Sequence, residues 1–297
     1  MKLRAYLALA VGILSFSIAP IFIRWSGAPT MVALFYSSLF TVILLTPIGI
    51  RRWTRDGWSK NRAMSFVILA GLFTSLDQIF WGQSLDRTSV ANAALLNHIS
   101  PLWVAFFAMV VFHEKLKPLF WIGLAAVLTG VVTVIGGNIS ISPEHAQGDL
   151  LAVISSFFYG WYFLAMQKGR EGQDSFTSLW VSTMVSIIGL LIGIRALGIS
   201  LLGYPGKSYL IFFVLALMAN LGGVYLVIYA LGNLPASVVT PTMVLLPVLT
   251  ALLAVPLAGE ALTAQQALGG LVTVGGVYLI NISHREKARE AAPIHPV

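Results

Sequence analysis

The chain has 297 residues, of which 58% are hydrophobic and only 10% are charged. Soluble domains carry about a quarter charged residues, and a globule of this length could not shield so many apolar side chains from water. So few charges also exclude a disordered chain and a basic nucleic-acid-binding segment. The composition therefore predicts an integral membrane protein.

Ten stretches are long and apolar enough to cross a bilayer, which takes about 20 residues. They are Ala5–Ile23, Met31–Ile50, Ala63–Ser84, Ser89–Phe112, Pro118–Gly137, Asp149–Gln167, Phe176–Leu197, Ser208–Leu231, Pro235–Ala258 and Ala264–Ser283. The first stretch, with Lys2 and Arg4 before it, also resembles a secretory signal peptide. It is long enough to span by itself, so we predict an all-α protein with ten transmembrane helices.

The basic residues predict which loops face the cytoplasm, where Lys and Arg are in excess. With the N-terminus inside, 14 of the 18 Lys and Arg residues fall in inner segments, and Arg24, Arg87, Arg195 and Lys207 fall in outer ones. Both termini are therefore expected in the cytoplasm. The net charge of +7 then reflects topology and not a surface for an acidic partner.

The two halves of the chain match each other at an offset of 146 residues. The pairs are Pro101 and Pro247, Glu114 and Glu260, Gly123 and Gly269, and Gly130 and Gly276. Each unit holds five spans, an odd number, so consecutive copies would cross the membrane in opposite directions. The loop Lys115-Leu116-Lys117 is basic and its counterpart Ala261-Leu262-Thr263 is not, as inversion requires. Accidental register between stretches of similar composition is the alternative.

We therefore expect two inverted five-helix repeats. The first covers residues 1–137, an external linker covers 138–148, the second repeat covers 149–283, and a cytoplasmic tail covers 284–297.

Several motifs resemble the drug/metabolite transporter superfamily, in particular its ten-helix EamA-type permeases. In the first half they are Ala91-Asn92-Ala93-Ala94-Leu95-Leu96, Pro101-Leu102-Trp103-Val104-Ala105, His113-Glu114 and the helix with Gly123 and Gly130; the second half has Pro247-Val248-Leu249, Gly259-Glu260, Gly269 and Gly276. The resemblance implies a transporter of small metabolites. Many relatives resemble Tyr-Arg in the second helix, where this chain has Tyr36-Ser37, so no role of that arginine carries over.

Ionisable side chains inside a span are costly and are therefore functional candidates. Asp77 is the only carboxylate well inside a predicted span, and His98 lies in the next one. Folding these two spans about the turn at Asp86-Arg87 places Asp77 opposite Leu96 to His98. We expect Asp77, Asn97 and His98 to form a polar patch that binds a substrate amine or, through Asp77 and His98, passes a proton. The alternative is that Asp77 and His98 satisfy each other, or extend toward the outer interface, and only hold the hairpin together.

Other polar and aromatic residues near the middle of spans are candidates for the remainder of a substrate cavity, where π faces suit aromatic or cationic solutes. They are Trp81, Tyr159, Trp161, Tyr162, Asn220, Tyr225 and Tyr229. Packing or contact with lipid is the alternative for each aromatic residue.

Prolines and glycines mark the repeated helices. Pro101 and Pro247 each remove a backbone hydrogen bond within a span and are hinge candidates, with a static kink as the alternative. The glycines at seven-residue spacing, Gly123, Gly130, Gly137, Gly269 and Gly276, predict close helix packing. Glu114 and Glu260 are expected to cap the helices that follow them.

These features predict a secondary active or exchange transporter of the cell inner membrane that moves a small metabolite by alternating access. An amino acid or related amphipathic or aromatic compound is the expected substrate, and export is the expected direction. A phosphorylated-sugar or nucleotide-sugar antiporter and a passive channel are the alternatives. We expect no enzymatic activity, cofactor, metal site or nucleic-acid partner; the lipid bilayer and protons are the other expected partners, and a monomer is sufficient.

Overall fold

The computed structural model describes residues 2–56, 61–136, 143–258 and 262–290. Within these ranges, ten helical segments are long and apolar enough to cross a membrane, which confirms the ten predicted spans. We number them one to ten: Leu3–Ser26, Thr30–Arg55, Arg62–Leu85, Val90–Val110, Pro118–Ile135, Pro143–Arg170, Ser175–Ala196, Gly206–Leu231, Ala236–Leu257 and Ala264–His284. The protein is an all-helical, multi-pass membrane protein.

Six spans are built on continuous α-helices, and four contain an interruption. The continuous helices are Thr30–Asp56, Arg62–Leu85, Pro118–Ile135, Ala146–Arg170, Ser175–Ala196 and Ala264–Glu290. The interrupted spans are one (Lys2–Phe16, Ala19–Ser26), four (Val90–Asn97, Ser100–Val110), eight (Gly206–Leu215, π-helix Ala216–Val224, Tyr225–Leu231) and nine (Ala236–Met243, Leu246–Ala258).

Proline explains three of these interruptions. Pro20, Pro101 and Pro247 each lie at the second residue of the later helix in their span. Because proline has no N–H and its fixed φ suits a first helical turn, it ends one helix and starts the next. In span one, the free carbonyl of Ser17 accepts a hydrogen bond of 2.9 Å from Thr250 of span nine, so the break is satisfied inside the bundle.

Spans four and nine break at corresponding positions. Ala236 and Met243, which bound the first helix of span nine, lie 146 residues after Val90 and Asn97, which bound that of span four. The same offset relates Ser100 to Leu246, where the second helices begin. The two prolines therefore produce similar interruptions in the two halves of the chain.

Spans of the first half pack mainly on spans of the second half. The pairs with the most extensive contact are three with six, five with ten, one with eight, three with seven and four with six, and span two packs on spans seven and eight. The largest cluster of buried apolar residues includes side chains from both halves, among them Leu9, Val67, Phe163 and Ile228. The two halves thus share one core instead of folding as separate bundles.

Glycine lets spans five and ten approach closely. A Cβ on Gly123 would lie 2.8 Å from the Gly276 carbonyl oxygen, and one on Gly269 would lie 2.7 Å from the Gly130 carbonyl oxygen. Real Cβ atoms do not approach backbone this closely, so the contact requires glycine at each position. Gly123 meets Gly276 and Gly130 meets Gly269, so residue numbers rise along one helix as they fall along the other. These two helices therefore run antiparallel.

Two helices extend beyond the predicted boundaries. Residues 143–148, expected in the external linker, are helical: Pro143–His145 forms a 3₁₀ turn and an α-helix starts at Ala146. The last helix continues beyond Ser283 to Glu290, so the expected tail begins as helix. Gly137, residues 138–142, Glu260 and the tail residues 291–297 lie outside the described residues.

One end of the bundle, which we call the basic end, carries the loops around residues 61, 114, 171–174 and 232–235. There, Asp174 caps span seven by accepting hydrogen bonds from the backbone N–H groups of Phe176 and Thr177, and it pairs with Arg52 at 3.2 Å. Its pKa is lowered from the ordinary value. Partial burial raises this pKa, but the hydrogen bonds from Thr177 and Phe176 and the charge of Arg52 outweigh the burial.

Replacing Asp174 with Ala is expected to lower the free energy of unfolding by about 1 kcal/mol, the usual cost of losing an N-cap. Since the folded-state pKa is depressed, this contribution is complete above the unfolded pKa, about 3.9, and disappears as the pH falls through the folded value. Thermal unfolding of the two proteins at several pH values measures the difference. Glu171→Ala is the matched control, because that exposed carboxylate pairs with Lys168 on the surface and should contribute little. An equal loss of unfolding free energy in the two variants would contradict the capping role of Asp174.

Candidate functional site

A buried carboxylate lies between three spans. Asp77 of span three is 9% exposed. Its Oδ1 accepts a hydrogen bond of 2.6 Å from the Ser155 hydroxyl of span six and one of 3.2 Å from the Asn97 amide of span four. The Asn97 amide also donates to Ser155 Oγ at 2.7 Å. We call Asp77, Asn97 and Ser155 the polar triad.

The local structure explains why these three side chains meet. The turn between spans three and four folds the hairpin so that Asn97 lies opposite Asp77, as the sequence predicted. Asn97 is the last residue of the first helix of span four, directly before the interruption at His98 and Ile99. The triad is therefore attached to the point where span four is discontinuous, and bending there would move Asn97 relative to Asp77.

The triad leaves one carboxylate oxygen available. Both hydrogen bonds end on Asp77 Oδ1, and within the described part of the chain Oδ2 accepts none. A buried anionic oxygen can bind a substrate ammonium group through a charge-assisted hydrogen bond, or it can accept a proton. The arrangement can thus hold a cationic or hydrogen-bond-donating group at membrane depth.

An aromatic surface continues from the triad along span six. Ser155, Tyr159 and Tyr162 follow each other at spacings of four and three residues and share one helix face. The two tyrosine rings lie parallel with centroids 6.1 Å apart. On a neighbouring face, the Trp161 ring lies 4.5 Å from that of Phe107 in span four. Flat rings beside a carboxylate are suited to an amphipathic or aromatic solute with a positive group.

His98 makes no hydrogen bond to Asp77 among the described residues. Its Nδ1 lies 2.6 Å from the carbonyl oxygen of Ala94, one turn back in its own helix. Since the helix ends at Asn97, His98 is its C-cap residue, and its side chain contacts the backbone of its own helix. The alternative that Asp77 and His98 satisfy each other is therefore not supported, whereas a role of His98 in substrate or proton binding stays a prediction.

The other candidates are distributed over several spans. The Asn220 amide, in the π-helix of span eight, donates to Thr41 Oγ1 of span two at 3.0 Å, so it is outside the triad. Tyr225 and Tyr159 are partly buried against the same apolar core, which also contains buried Tyr162. Trp81 is half-buried one turn beyond Asp77 in span three.

Sequence analysis missed two serines of span six. Besides Ser155 in the triad, Ser156 accepts a hydrogen bond of 3.0 Å from the Trp103 indole of span four. A serine in an apolar helix commonly bonds to its own backbone or packs closely, so neither residue was distinguishable by type. The available signal was that Ser155 lies one turn before Tyr159 on the same helix face.

The predicted role of Glu114 as a helix cap is wrong. Lys117 precedes the next helix without a side-chain cap, and Glu114 instead accepts a hydrogen bond of 2.8 Å from the Ser237 hydroxyl at the start of span nine. Glu114 follows a residue with positive φ, His113 at 54°, which turns the chain back over the basic end. The carboxylate therefore links the two halves there.

Comparison with known proteins identifies the family. Residues 3–136 and 146–282 both match the EamA-like transporter family. The chain belongs to that family. Two segments of one chain thus match the same family, and together they cover almost all of the ten spans.

The curated relatives of this EamA-family transporter are distant. It is 26% identical to human solute carrier family 35 member G1 over 63% of this chain and 54% of that protein. It is 21% identical to the uncharacterized transporter YxxF of Bacillus subtilis over 64% of this chain and 62% of that protein. These alignments span less than two thirds of either relative. An uncharacterized transporter of Archaeoglobus fulgidus is 22% identical over 82% of this chain and 86% of its own.

The fold occurs in a solved structure. A crystal structure matches with a TM-score of 0.79 and 20% sequence identity, covering 97% of this chain and 99% of the other. At this identity the likeness establishes the fold alone. The chain is thus a multi-pass membrane protein of the EamA-like transporter family.

Proposed function

We propose that the protein is a secondary transporter that binds a small amine-containing metabolite, an amino acid or a related amphipathic or aromatic compound, at the polar triad. The observation that carries this proposal is the Asp77 carboxylate, buried among three spans with Oδ2 available and tyrosine rings nearby. A phosphorylated sugar would instead require basic side chains at this depth, where Asp77 places a negative charge. Export across the cell inner membrane is the proposed direction and location.

The halves of the chain are proposed to be inverted copies that expose the site to one side and then the other. The matching family segments, the equivalent breaks in spans four and nine, and the antiparallel glycine contact of spans five and ten support this organisation. Transporters with such repeats bind substrate near the midplane, next to discontinuous helices. Asn97, at the end of a helix in span four, is placed to couple bending of that span to the triad.

The basic end is proposed to face the cytoplasm, with both termini on that side. Arg52, Arg62, Lys115, Lys117 and Arg170 are all at or next to this end, in agreement with the excess of positive charge on cytoplasmic loops. One chain contains both halves, so a monomer suffices for the pathway.

A screen of thermal stability tests the substrate class. Purified protein is heated with amino acids, amphipathic cations, nucleotides or sugars, since a ligand of the folded state raises the unfolding midpoint. We expect amine-containing solutes to stabilise the wild type and Asp149→Asn, and to lose their effect on Asp77→Asn. Asp149 is a suitable control because its carboxylate bonds to Thr88 and Asn92 at the other end of the bundle. Stabilisation by sugar phosphates, or by no class of solute, would contradict the proposal.

A further inference from the structure

A shallow depression at the basic end lies between the loop after span four and the end of span ten. Its volume is about 150 Å³, and it is lined by Lys115, Leu116, Lys117, Ser283 and His284. Two of these five side chains are lysines, and the loop that supplies them leads directly into span five. We call this feature the basic depression.

Ser283 offers a buried hydroxyl to the basic depression. The residue is 2% exposed, and among the residues that the structure describes its hydroxyl makes no hydrogen bond. Other serines in these spans, such as Ser17, Ser75 and Ser156, donate to a carbonyl oxygen of their own preceding turn. A buried polar group without a protein partner is costly unless a ligand or water satisfies it. The Ser283 hydroxyl is therefore available as a donor to a group bound in the depression.

The charges around the basic depression favour an anion. Lys115 is exposed and Lys117 is half-buried. The neighbouring carboxylate of Glu114 is not among the lining residues and accepts a hydrogen bond from Ser237. His284 forms a wall, since both of its ring nitrogens face protein groups. Two lysines thus oppose one carboxylate, and the positive end of span five, which has no side-chain cap, adds to them.

The basic depression lies at the membrane surface, because spans five and ten begin and end beside it. Exposed apolar side chains lead away from it along both spans. On span five, Trp121 lies one turn after Lys117 on the same face and is 38% exposed, and Ile122 is 59% exposed. On span ten, Leu271 and Tyr278 are exposed. Basic pockets between transmembrane helices bind anionic lipid head groups, and here acyl chains could follow the two spans.

We infer that the basic depression binds the phosphate of an anionic phospholipid in the leaflet at this end of the bundle. The Ser283 hydroxyl donates to a phosphate oxygen, Lys115 and Lys117 compensate the negative charge, and the acyl chains contact the exposed faces of spans five and ten. The bound lipid joins the loop after span four to the end of span ten. This inference goes beyond the proposed function, because it does not depend on what the polar triad binds.

The other end of the bundle cannot form the same site. At the repeat offset of 146, the lysines of the basic depression correspond to Ala261 and Thr263, and Ser283 corresponds to Gly137. The first two residues supply no ammonium group, and the third supplies no hydroxyl. A lipid site of this kind is therefore expected at one end only.

Native mass spectrometry of the full-length protein in detergent tests the inference, because it resolves individual bound lipids. The protein is titrated with phosphatidylglycerol, and the fraction that carries a first lipid gives an apparent Kd. Phosphatidylcholine, which has a phosphate but no net charge, is the reference lipid. We expect phosphatidylglycerol to bind roughly tenfold more tightly than phosphatidylcholine. Equal affinity for the two lipids would overturn the inference.

Ser283→Ala separates a defined site from general attraction to a basic surface. This change keeps the charge and the Cβ atom, and it removes no hydrogen bond within the described part of the protein. We expect the affinity for phosphatidylglycerol to fall roughly tenfold, the effect of losing one hydrogen bond to a charged group. Unchanged affinity in Ser283→Ala would overturn the inference.

Two double variants test the lysines with the same loss of charge. Lys115→Gln with Lys117→Gln should lower the affinity for phosphatidylglycerol at least roughly tenfold. Arg51→Gln with Arg62→Gln removes two exposed charges from the same end, on spans two and three, which pack on spans six to eight. This control should change the affinity less than about twofold, because screening weakens charges distant from the site. Equal losses in the two double variants would overturn the inference.

Inorganic phosphate distinguishes a lipid from a soluble source of the same group. Thermal unfolding is measured with phosphatidylglycerol or with inorganic phosphate, since a ligand of the folded state raises the unfolding midpoint. We expect the lipid to stabilise the wild type more than Ser283→Ala, and inorganic phosphate to stabilise neither. Stabilisation of the wild type by inorganic phosphate that Ser283→Ala abolishes would assign the basic depression to soluble phosphate compounds and overturn the inference.

Discussion

Uptake by the Asp77→Asn protein is expected to lose its dependence on pH and to require much higher solute concentrations. Asparagine retains the size of the side chain and an oxygen that accepts from Ser155 and Asn97, so the triad should keep its geometry. The amide does not bind a proton and carries no charge for an ammonium group. Losing one charge-assisted hydrogen bond should raise the KM for an amine-containing solute at least about tenfold. Initial uptake rates into proteoliposomes across a range of pH measure both effects.

Two control variants make this result specific. Asp149→Asn applies the same chemical change to a carboxylate at the opposite end from the basic loops and should leave KM and the pH profile unchanged. Ser155→Ala removes one donor to Asp77 but keeps the charge, so it should retain pH dependence with altered KM. If Asp77→Asn keeps the pH profile of the wild type, Asp77 does not carry the proton, and if it keeps the KM, Asp77 does not recognise the amine.

Replacing Gly276 with Ala is expected to destabilise the protein severely, whereas the same change at its neighbour Gly275 should be nearly neutral. A Cβ on Gly276 would lie 2.6 Å from both the Gly123 carbonyl oxygen and the Val127 nitrogen, and neither backbone atom can move without separating spans five and ten. A Cβ on Gly275 would meet nothing within 4 Å. We expect a loss of about 1–3 kcal/mol for the first change and less than about 0.5 kcal/mol for the second.

Thermal unfolding in detergent, followed by size-exclusion chromatography, compares these adjacent variants under identical conditions. Both changes replace glycine by alanine in one helix, so the difference in helix propensity cancels and the packing term remains. Similar midpoints for the two variants would contradict the close contact between spans five and ten.

The sequence predicted the parts of the structure that depend on local pattern. The ten spans follow from apolar runs alone, and the seven-residue spacing of Gly269 and Gly276 selects Gly276 over the adjacent Gly275. Asn97 could be placed opposite Asp77 because a short turn joins their helices, which leaves few possible registers. In each case the information lies within one helix or one hairpin.

The remainder depends on packing between distant segments. Ser155 reaches Asp77 only because span six packs on span three, and no local pattern fixes the rotation of one helix against another. The contact of His98 Nδ1 with the Ala94 carbonyl is local, but no sequence pattern distinguishes it from a contact with Asp77. Glu114 meets Ser237 across 123 positions of the chain, a contact that neither residue type predicts.

Counterflow in proteoliposomes tests the central claim, that one site alternates between the two sides of the membrane. Vesicles are loaded with an unlabelled solute from the stability screen, and the initial uptake of the same labelled solute is compared with that into empty vesicles. We predict saturable uptake that internal solute accelerates, and loss of both properties at the same concentrations in Asp77→Asn. Uptake that rises linearly with concentration and is unaffected by internal solute would indicate a channel and contradict the account.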